Sequence, residues 1–146
     1  RYVSSGGALF VSGAYVASDN WLSVNATKAD QKFLKEVLHI EWRADRATQD
    51  GELKAVYAPN AQFTGNYQFV QHLNEKIYAV ESPDAIVPVG QNAYTVMRYS
   101  QNNNSAAVAY SGDDYRVIVC GFPFETLATD EMQERFMQQV IDFLTK

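Results

Sequence analysis

Cysteine, histidine, proline and basic residues are all scarce in this chain, and each scarcity removes a class of function. A single cysteine, Cys120, cannot close an internal disulfide, so the fold rests on packing and the redox compartment stays open. The two histidines, His39 and His72, have no paired Cys/His spacing around them, which argues against a zinc centre; no metal and no cofactor are expected. Twelve Lys and Arg are scattered among seventeen Asp and Glu, for a net charge of -5, so the clustered cations that bind phosphate backbones are missing and nucleic acid is not an expected partner. No apolar run approaches the ~20 residues that cross a bilayer, and the opening residues lack the basic and apolar regions of a signal peptide. No membrane span is expected in this segment. Internal repeats and low-complexity tracts are also absent.

What is present is a 47% hydrophobic composition over 146 residues, the profile of one globular domain, residues 1–146. Nine Tyr, eight Phe and two Trp accompany many Asn, Gln, Ser and Thr, a mixture that suits an extracytoplasmic location: secreted, periplasmic or cell-surface.

The opening "RYVSSGG" reads as a helix end with its left-handed stop at Gly6 or Gly7, and strand "ALFVS" follows at once. A helix tail running into a strand is half of an αβ unit, so the expectation is a chain that starts part-way through a larger α/β domain, with "ALFVS" inside its sheet. "GAYVASDNWLSV" predicts a turn and short helix. "NATKADQKFLKEVLHI" predicts a longer helix, with Thr27 and Asp30 as a capping box and Phe33, Leu34, Val37 and Leu38 on its apolar stripe. "HIEWRADRATQDGELKAVYA" reads as an irregular hairpin turning at Asp50-Gly51. Residues 59–90 are loop-rich with short extended runs, "YQFVQHL" and "KIYAVES". "AYTVMRYS", "SAAVAYSG" and "YRVIVCGF" are three strands whose short links, "QNNN" and "GDD", force antiparallel neighbours. The last helix starts at the N-cap Thr129 and buries Met132, Phe136, Val140, Phe143 and Leu144.

Candidate chemistry is sparse. Cys120 follows "VIV" on a buried-looking strand and reads as a small core residue, not a thiolate. Glu81 and Asp84 in "VESPDAIVP" suit either a carboxylate pair or a Ser-Pro-Asp turn. Arg98, between Met97 and Tyr99, and Glu125, among the apolar residues of "FPFETL", are charges expected near the core and therefore paired, with each other or with backbone. Tyr15, Trp21, Tyr67, Phe69 and Phe124 suit either an aromatic sugar platform or core packing.

The order of "GGALFVSGAYVAS", an antiparallel insertion, a hairpin and then "VIVCGFPFE" before a terminal helix resembles the C-terminal half of a class I glutamine amidotransferase-like, flavodoxin-like domain. "NEKIYAVESPDAIVP", "AAVAYSG" and "VCGFPFETL" are similar to tail domains of secreted Bacteroidetes multidomain proteins labelled xanthan lyase-like. The resemblance implies a three-layer α/β fold with a mixed sheet and antiparallel hairpins. In that family one strand ends at a cysteine elbow and a later one in Phe-His-Pro-Glu. Here the elbow is Gly13-Ala14-Tyr15, without a thiol, and Pro123 stands at the imidazole position between Phe122 and Glu125. A nucleophile and its base are both missing, so the resemblance implies a pseudoenzyme without glutaminase activity and with no catalytic residues of that kind.

The expected role is a non-catalytic accessory or interaction module of a secreted or surface multidomain protein linked to polysaccharide processing, partnered by other domains of the same polypeptide and by glycan. The alternative is a glycan-active hydrolase or lyase, with Tyr15, Glu81, Asp84, Arg98 and Glu125 around a pocket at the strand ends; a small-molecule sensor using that pocket is a third reading.

Overall fold

The computed structural model describes residues 1–72 and 75–146. Leu73, the last residue of the extended run "YQFVQHL", and Asn74, the first of "NEKIYAVESPDAIVP", lie outside the described residues. Among the described residues, eight strands and three α-helices follow one another as β1 (Ala8–Ser12), α1 (Ser18–Trp21), α2 (Lys28–Glu36), β2 (Ile40–Ala44), β3 (Glu52–Ala55), β4 (Asn66–Gln68), β5 (Ala85–Pro88), β6 (Ala93–Tyr99), β7 (Ser105–Ser111), β8 (Arg116–Cys120) and α3 (Asp130–Leu144). Six strands form one sheet in the order β1-β8-β7-β6-β3-β4, and β2 pairs with β5 in a separate antiparallel ribbon.

Within the large sheet, β1 with β8 is the parallel pair, and the four other pairings are antiparallel. This corrects the expected fold class. A three-layer flavodoxin-like or amidotransferase-like fold is wound around a largely parallel sheet flanked by helices, because each parallel step needs a helical crossover. Here the four-residue link between Tyr99 and Asn104 and the short turn at 112–115 permit only antiparallel return, and the fold is mostly β. The layer opposite α3 is built partly from the β2–β5 ribbon, which packs on β6 and β7.

Side-chain alternation along the central strands sends residues to two cores. Ile118 and Cys120 of β8, with Ala107 and Ala109 of β7, face the core that α3 closes with Phe136, Val140 and Phe143. Phe136 is its hub, with ring centroids 6.3 Å from Phe10, 5.8 Å from Phe63 and 6.1 Å from Phe122. Val117, Val119 and Val108 face the other way, against Leu34 and Leu38 of the α2 region, Ile40 and Ile86 of the ribbon, and Ala17. Burial on both faces accounts for the unbroken apolar run Val117–Cys120.

Local signals in the sequence hold. Gly6 takes the left-handed conformation, φ 88°, and stops a single 3-10 turn. The Thr27 hydroxyl accepts from the Asp30 N–H at 3.2 Å while the Asp30 carboxylate accepts from the Thr27 N–H at 2.7 Å, the expected capping box. Thr129 caps α3 by accepting from the Met132 N–H at 3.1 Å. Three longer-range expectations are corrected. The segments read as one hairpin, β2 and β3, belong to different sheets, β2 pairing with β5 and β3 with β4 and β6. Phe33, placed on the buried stripe of α2, is exposed. Strand β1, expected inside a sheet, is an edge strand among the described residues, half-buried along its length.

At the end of β8 the backbone of Gly121 lies so close to the carbonyl of Asp84 that a Cβ there would meet Asp84 O at 2.1 Å, and it is held there by hydrogen bonds from Gly121 N to Ala106 O and from Asp84 N to Gly121 O, each 2.8 Å. The clash is with backbone, which cannot swing aside. Gly121→Ala is therefore expected to cost at least about 3 kcal/mol in urea unfolding; a loss within about 0.5 kcal/mol, the range of an ordinary surface change, would contradict this packing.

Candidate functional site

The parallel strands β1 and β8 end side by side, Ser12 in register with Cys120. Beyond them the chain splays in two directions: Gly13–Val16 leads into α1, and Gly121–Pro123 leads into a 3-10 turn, Phe124–Thr126, ahead of α3. Gly13 N donates to Cys120 O at 3.2 Å and Phe124 N to the Ser12 hydroxyl at 3.2 Å, so the two loops remain stitched at their base. Above the stitch lies a cleft of about 440 Å3, lined by Gly13, Tyr15, Asp19, Asn20, Tyr78 and Glu125 among others. A crevice at the carboxyl ends of parallel strands is where open sheets place ligands. A larger hollow of about 750 Å3 lies elsewhere, walled by the single loop of residues 55–64 and Lys146. Its size exceeds that of the strand-end cleft, but it offers only Tyr57 and Lys146 as titratable groups and brings together no groups from separate elements of the sheet.

Glu125 accepts a hydrogen bond from the Tyr78 hydroxyl at 2.6 Å. Burial of the phenol, then the Glu125 bond and charge, push the Tyr78 pKa up to about 12, so it stays a donor at neutral pH. The expectation that apolar neighbours desolvate Glu125, leaving it paired with Arg98 or with backbone, is corrected: Glu125 is exposed to the cleft, because the chain around it turns Phe122, Thr126 and Leu127 inward instead. Arg98 sits on β6 and donates from Nη1 to the carbonyl of Asn103 at 2.9 Å, clamping its own hairpin turn.

Asp84 is fully buried. One carboxylate oxygen accepts from the backbone N–H groups of Ala17 and Ser18, at 3.1 and 2.9 Å, across 67 and 66 residues of sequence. Among the described residues its other oxygen and the buried Ser18 hydroxyl have no partner that meets hydrogen-bond geometry. Burial pushes the Asp84 pKa up to about 6, against the lowering effect of Ser18 and Ala17 and with a small further rise from the Asp45 charge. The Asp84 backbone carbonyl accepts from the Tyr99 hydroxyl at 2.6 Å. Asp84 thus lies beneath the cleft wall and orients α1, which carries Asp19 and Asn20.

Of the five residues expected around one pocket, the structure brings Tyr15 and Glu125 into the cleft, puts Asp84 under it, and leaves Glu81 on the surface and Arg98 on β6, bonded to the β6–β7 turn. The aromatic platform separates likewise: Tyr67 and Phe69 are core residues, while Tyr15 keeps an exposed ring. Tyr78, Asp19 and Asn20 were not singled out by the sequence; an aromatic residue in a Pro/Ser-punctuated loop was the signal for Tyr78, and α1 gave none. Cys120 is buried and its thiol is pushed well above the ordinary range by that burial. His39, at a positive φ of 57°, stacks on Tyr110 with ring centroids 3.5 Å apart and shares a hydrogen bond of 2.7 Å with the Tyr115 hydroxyl, a packed structural cluster. Among the described residues no group of three or more His, Cys, Asp and Glu is placed to hold a metal.

No family model matches the sequence, and no curated protein matches it. Solved structures do match in fold. A cold-adapted β-galactosidase from Rahnella sp. R3 superposes with a TM-score of 0.62 at 12% identity, covering 99% of this chain and 20% of that one. A β-galactosidase from Bacillus circulans sp. alkalophilus gives a TM-score of 0.59 at 10% identity, covering 97% and 19%. The chain therefore spans about a fifth of the length of each. These neighbours, with the mostly antiparallel sheet, replace the amidotransferase-like assignment. Among the described residues no helix is long and apolar enough to cross a membrane.

Two outcomes follow from the geometry. Asp84 carries a folded pKa of about 6 against an ordinary 3.8, so the folded state holds its proton more tightly than the unfolded chain. Its contribution to stability is complete below about pH 4 and is lost as pH rises through about 6. In urea unfolding, Asp84→Asn should leave stability near wild type at about pH 4 and exceed it at about pH 7, since an amide oxygen still accepts from Ala17 and Ser18 without a buried charge. A mutant less stable than wild type at pH 7 would show that the ionised carboxylate is required. Cys120 should resist alkylation by iodoacetamide in the folded protein and react only on unfolding; labelling at the rate of an exposed thiol would contradict its burial.

Proposed function

We propose that this chain is a non-catalytic accessory domain of a larger carbohydrate-active protein, working outside the cytoplasm and packed against other domains of its own polypeptide. The single observation that carries the reading is the coverage: nearly the whole chain corresponds to about a fifth of two β-galactosidases, so a unit of this shape occurs there as one part of a multidomain enzyme. The chemistry of the cleft supports it. The one thiol, Cys120, read from the sequence as a core residue, is sealed below the cleft, and Glu125 of the "FPFE" turn accepts its hydrogen bond from the Tyr78 phenol. The extracytoplasmic placement rests on the aromatic- and amide-rich composition alone.

A second reading, a glycan-active hydrolase, is favoured by one feature: two carboxylates, Asp19 and Glu125, line the same cleft, and paired carboxylates are the machinery of glycoside hydrolysis. The readings separate in a turnover assay of the chain with chromogenic β-galactosides and β-glucosides. The accessory reading expects no hydrolysis beyond that of Glu125→Gln and Asp19→Asn. Hydrolysis that falls by about a hundredfold or more in either variant, the loss typical of removing a general acid or base, would establish an enzyme instead.

A further inference from the structure

The cleft at the ends of β1 and β8 has a composition that selects among ligands. Its walls are largely apolar, with half-exposed rings from Tyr15 and Tyr78. Its carboxylate and amide groups are presented as acceptors: the Asp19 and Glu125 carboxylates, and the side-chain carbonyl of Asn20, whose Nδ2 donates to the carbonyl of Val16 at 2.9 Å; the Tyr15 phenol adds one hydroxyl that can donate. Among the described residues no Lys, Arg or His lines it. One Glu125 oxygen accepts from the Tyr78 hydroxyl at 2.6 Å, which fixes the carboxylate at the edge of the cleft.

A ligand that fits must therefore present several hydroxyl donors on one edge and an apolar face on the other, and must carry no negative charge. A pyranose meets each requirement. Its axial C–H bonds form a face that packs on aromatic rings, and adjacent hydroxyls donate to a carboxylate. Uronic acids and sulfated sugars would set their charge beside two carboxylates with no cation among the lining residues to offset it. An ammonium ligand would satisfy the carboxylates but would give up hydration to a largely apolar wall. We propose that this cleft is a binding site for a neutral pyranose, received by Tyr15 and Tyr78 and hydrogen-bonded by Asp19, Asn20 and Glu125. This rests on the accessory reading, since the bound sugar is held and not cleaved. The volume of about 440 Å3 accommodates one or two sugar rings, so the site takes a chain end or a short segment.

The test is a titration of the 146-residue chain, followed by calorimetry and by tyrosine fluorescence, with lactose, cellobiose, galacturonate and spermine. Neutral disaccharides should bind in roughly the millimolar range expected of one open, shallow cleft, and galacturonate about tenfold or more weaker. Tyr15→Ala should weaken lactose or cellobiose at least about fivefold at unchanged thermal stability. Tyr78→Phe, which keeps the ring and removes the bond that fixes Glu125, should weaken them less than Tyr15→Ala. Glu125→Gln should narrow the gap between neutral and acidic sugars, a readout a purely structural role would not move. Tighter binding of galacturonate or spermine than of both disaccharides, no binding of either disaccharide up to about 50 mM, or disaccharide binding unaffected by Tyr15→Ala would each overturn the proposal. Cleavage of the disaccharides would overturn the accessory reading itself, whereas absence of both binding and cleavage overturns only the sugar site.

Discussion

The structure depends on the contact between Gly121 and Asp84. Three elements distant in sequence meet there: the end of β8, the start of the β2–β5 ribbon and, through the Tyr99 hydroxyl on the Asp84 carbonyl, strand β6. The meeting is backbone on backbone, so it requires a residue without a Cβ at position 121. It brings the ribbon against the face of the sheet and commits the Asp84 carboxyl to a site with no solvent. A carboxylate in such a place is costly unless its oxygens are satisfied, and Asp84 is half satisfied, by Ala17 and Ser18 on one oxygen only. The raised pKa is the direct consequence.

The cost has a structural return. Helix α1 has four residues, too few to sustain themselves by helical hydrogen bonding, since nucleation fixes several dihedrals before the first bond forms. Two of the N–H groups at its start are held by Asp84 from below, and the Ala17 side chain is buried beside Leu34, Ile40 and Ile86. The loop and helix that supply Tyr15, Asp19 and Asn20 to the cleft are thus fixed by a residue that does not touch the cleft. The opposite wall is fixed differently, by Phe124 N on Ser12 and by the rings of Phe124 and Phe136 packing 6.0 Å apart.

What the sequence revealed divides by the range of the interaction. The strands β6, β7 and β8, the capping box of α2 and the N-cap of α3 are local: turn residues, a Thr-x-x-Asp spacing or a stripe of apolar residues encodes each within a few positions. The ribbon was illegible, because β2 and β5 are separated by more than forty residues and their pairing is decided by burial of Ile40 and Ile86 on the sheet. Asp84 was read as a possible turn residue; its real partners, Ala17 and Ser18, leave no trace in "SPD" because the interaction uses their backbone N–H groups, which every sequence possesses. Tyr15 and Glu125 were legible as neighbours at the strand-end cleft because both follow strands at the sheet's carboxyl edge. Tyr78 comes from a loop whose position relative to that edge is set only by the tertiary fold.

The same division explains why an amidotransferase-like fold was the wrong inference from a partly informative motif. A strand that ends in a glycine, a proline-broken turn and a capped helix is what any chain needs to leave a buried strand and cover the sheet with a helix. "VIVCGFPFE" satisfies that need: Val117 to Cys120 are buried, Gly121 permits the close approach to Asp84, Phe122 fills the core against Phe69 with stacked rings 5.6 Å apart, and Pro123 turns the chain toward Thr126 and α3. Each residue but Glu125 is accounted for by packing or backbone geometry, so the run carries little information about a catalytic ancestor. Glu125 is the exception, exposed at the strand end and bonded to a tyrosine from a different loop, and a polar contact between two exposed groups, 47 residues apart, adds little to stability on its own. The residue left unexplained by folding lines the cleft where β1 and β8 end, beside Tyr15 and Asp19.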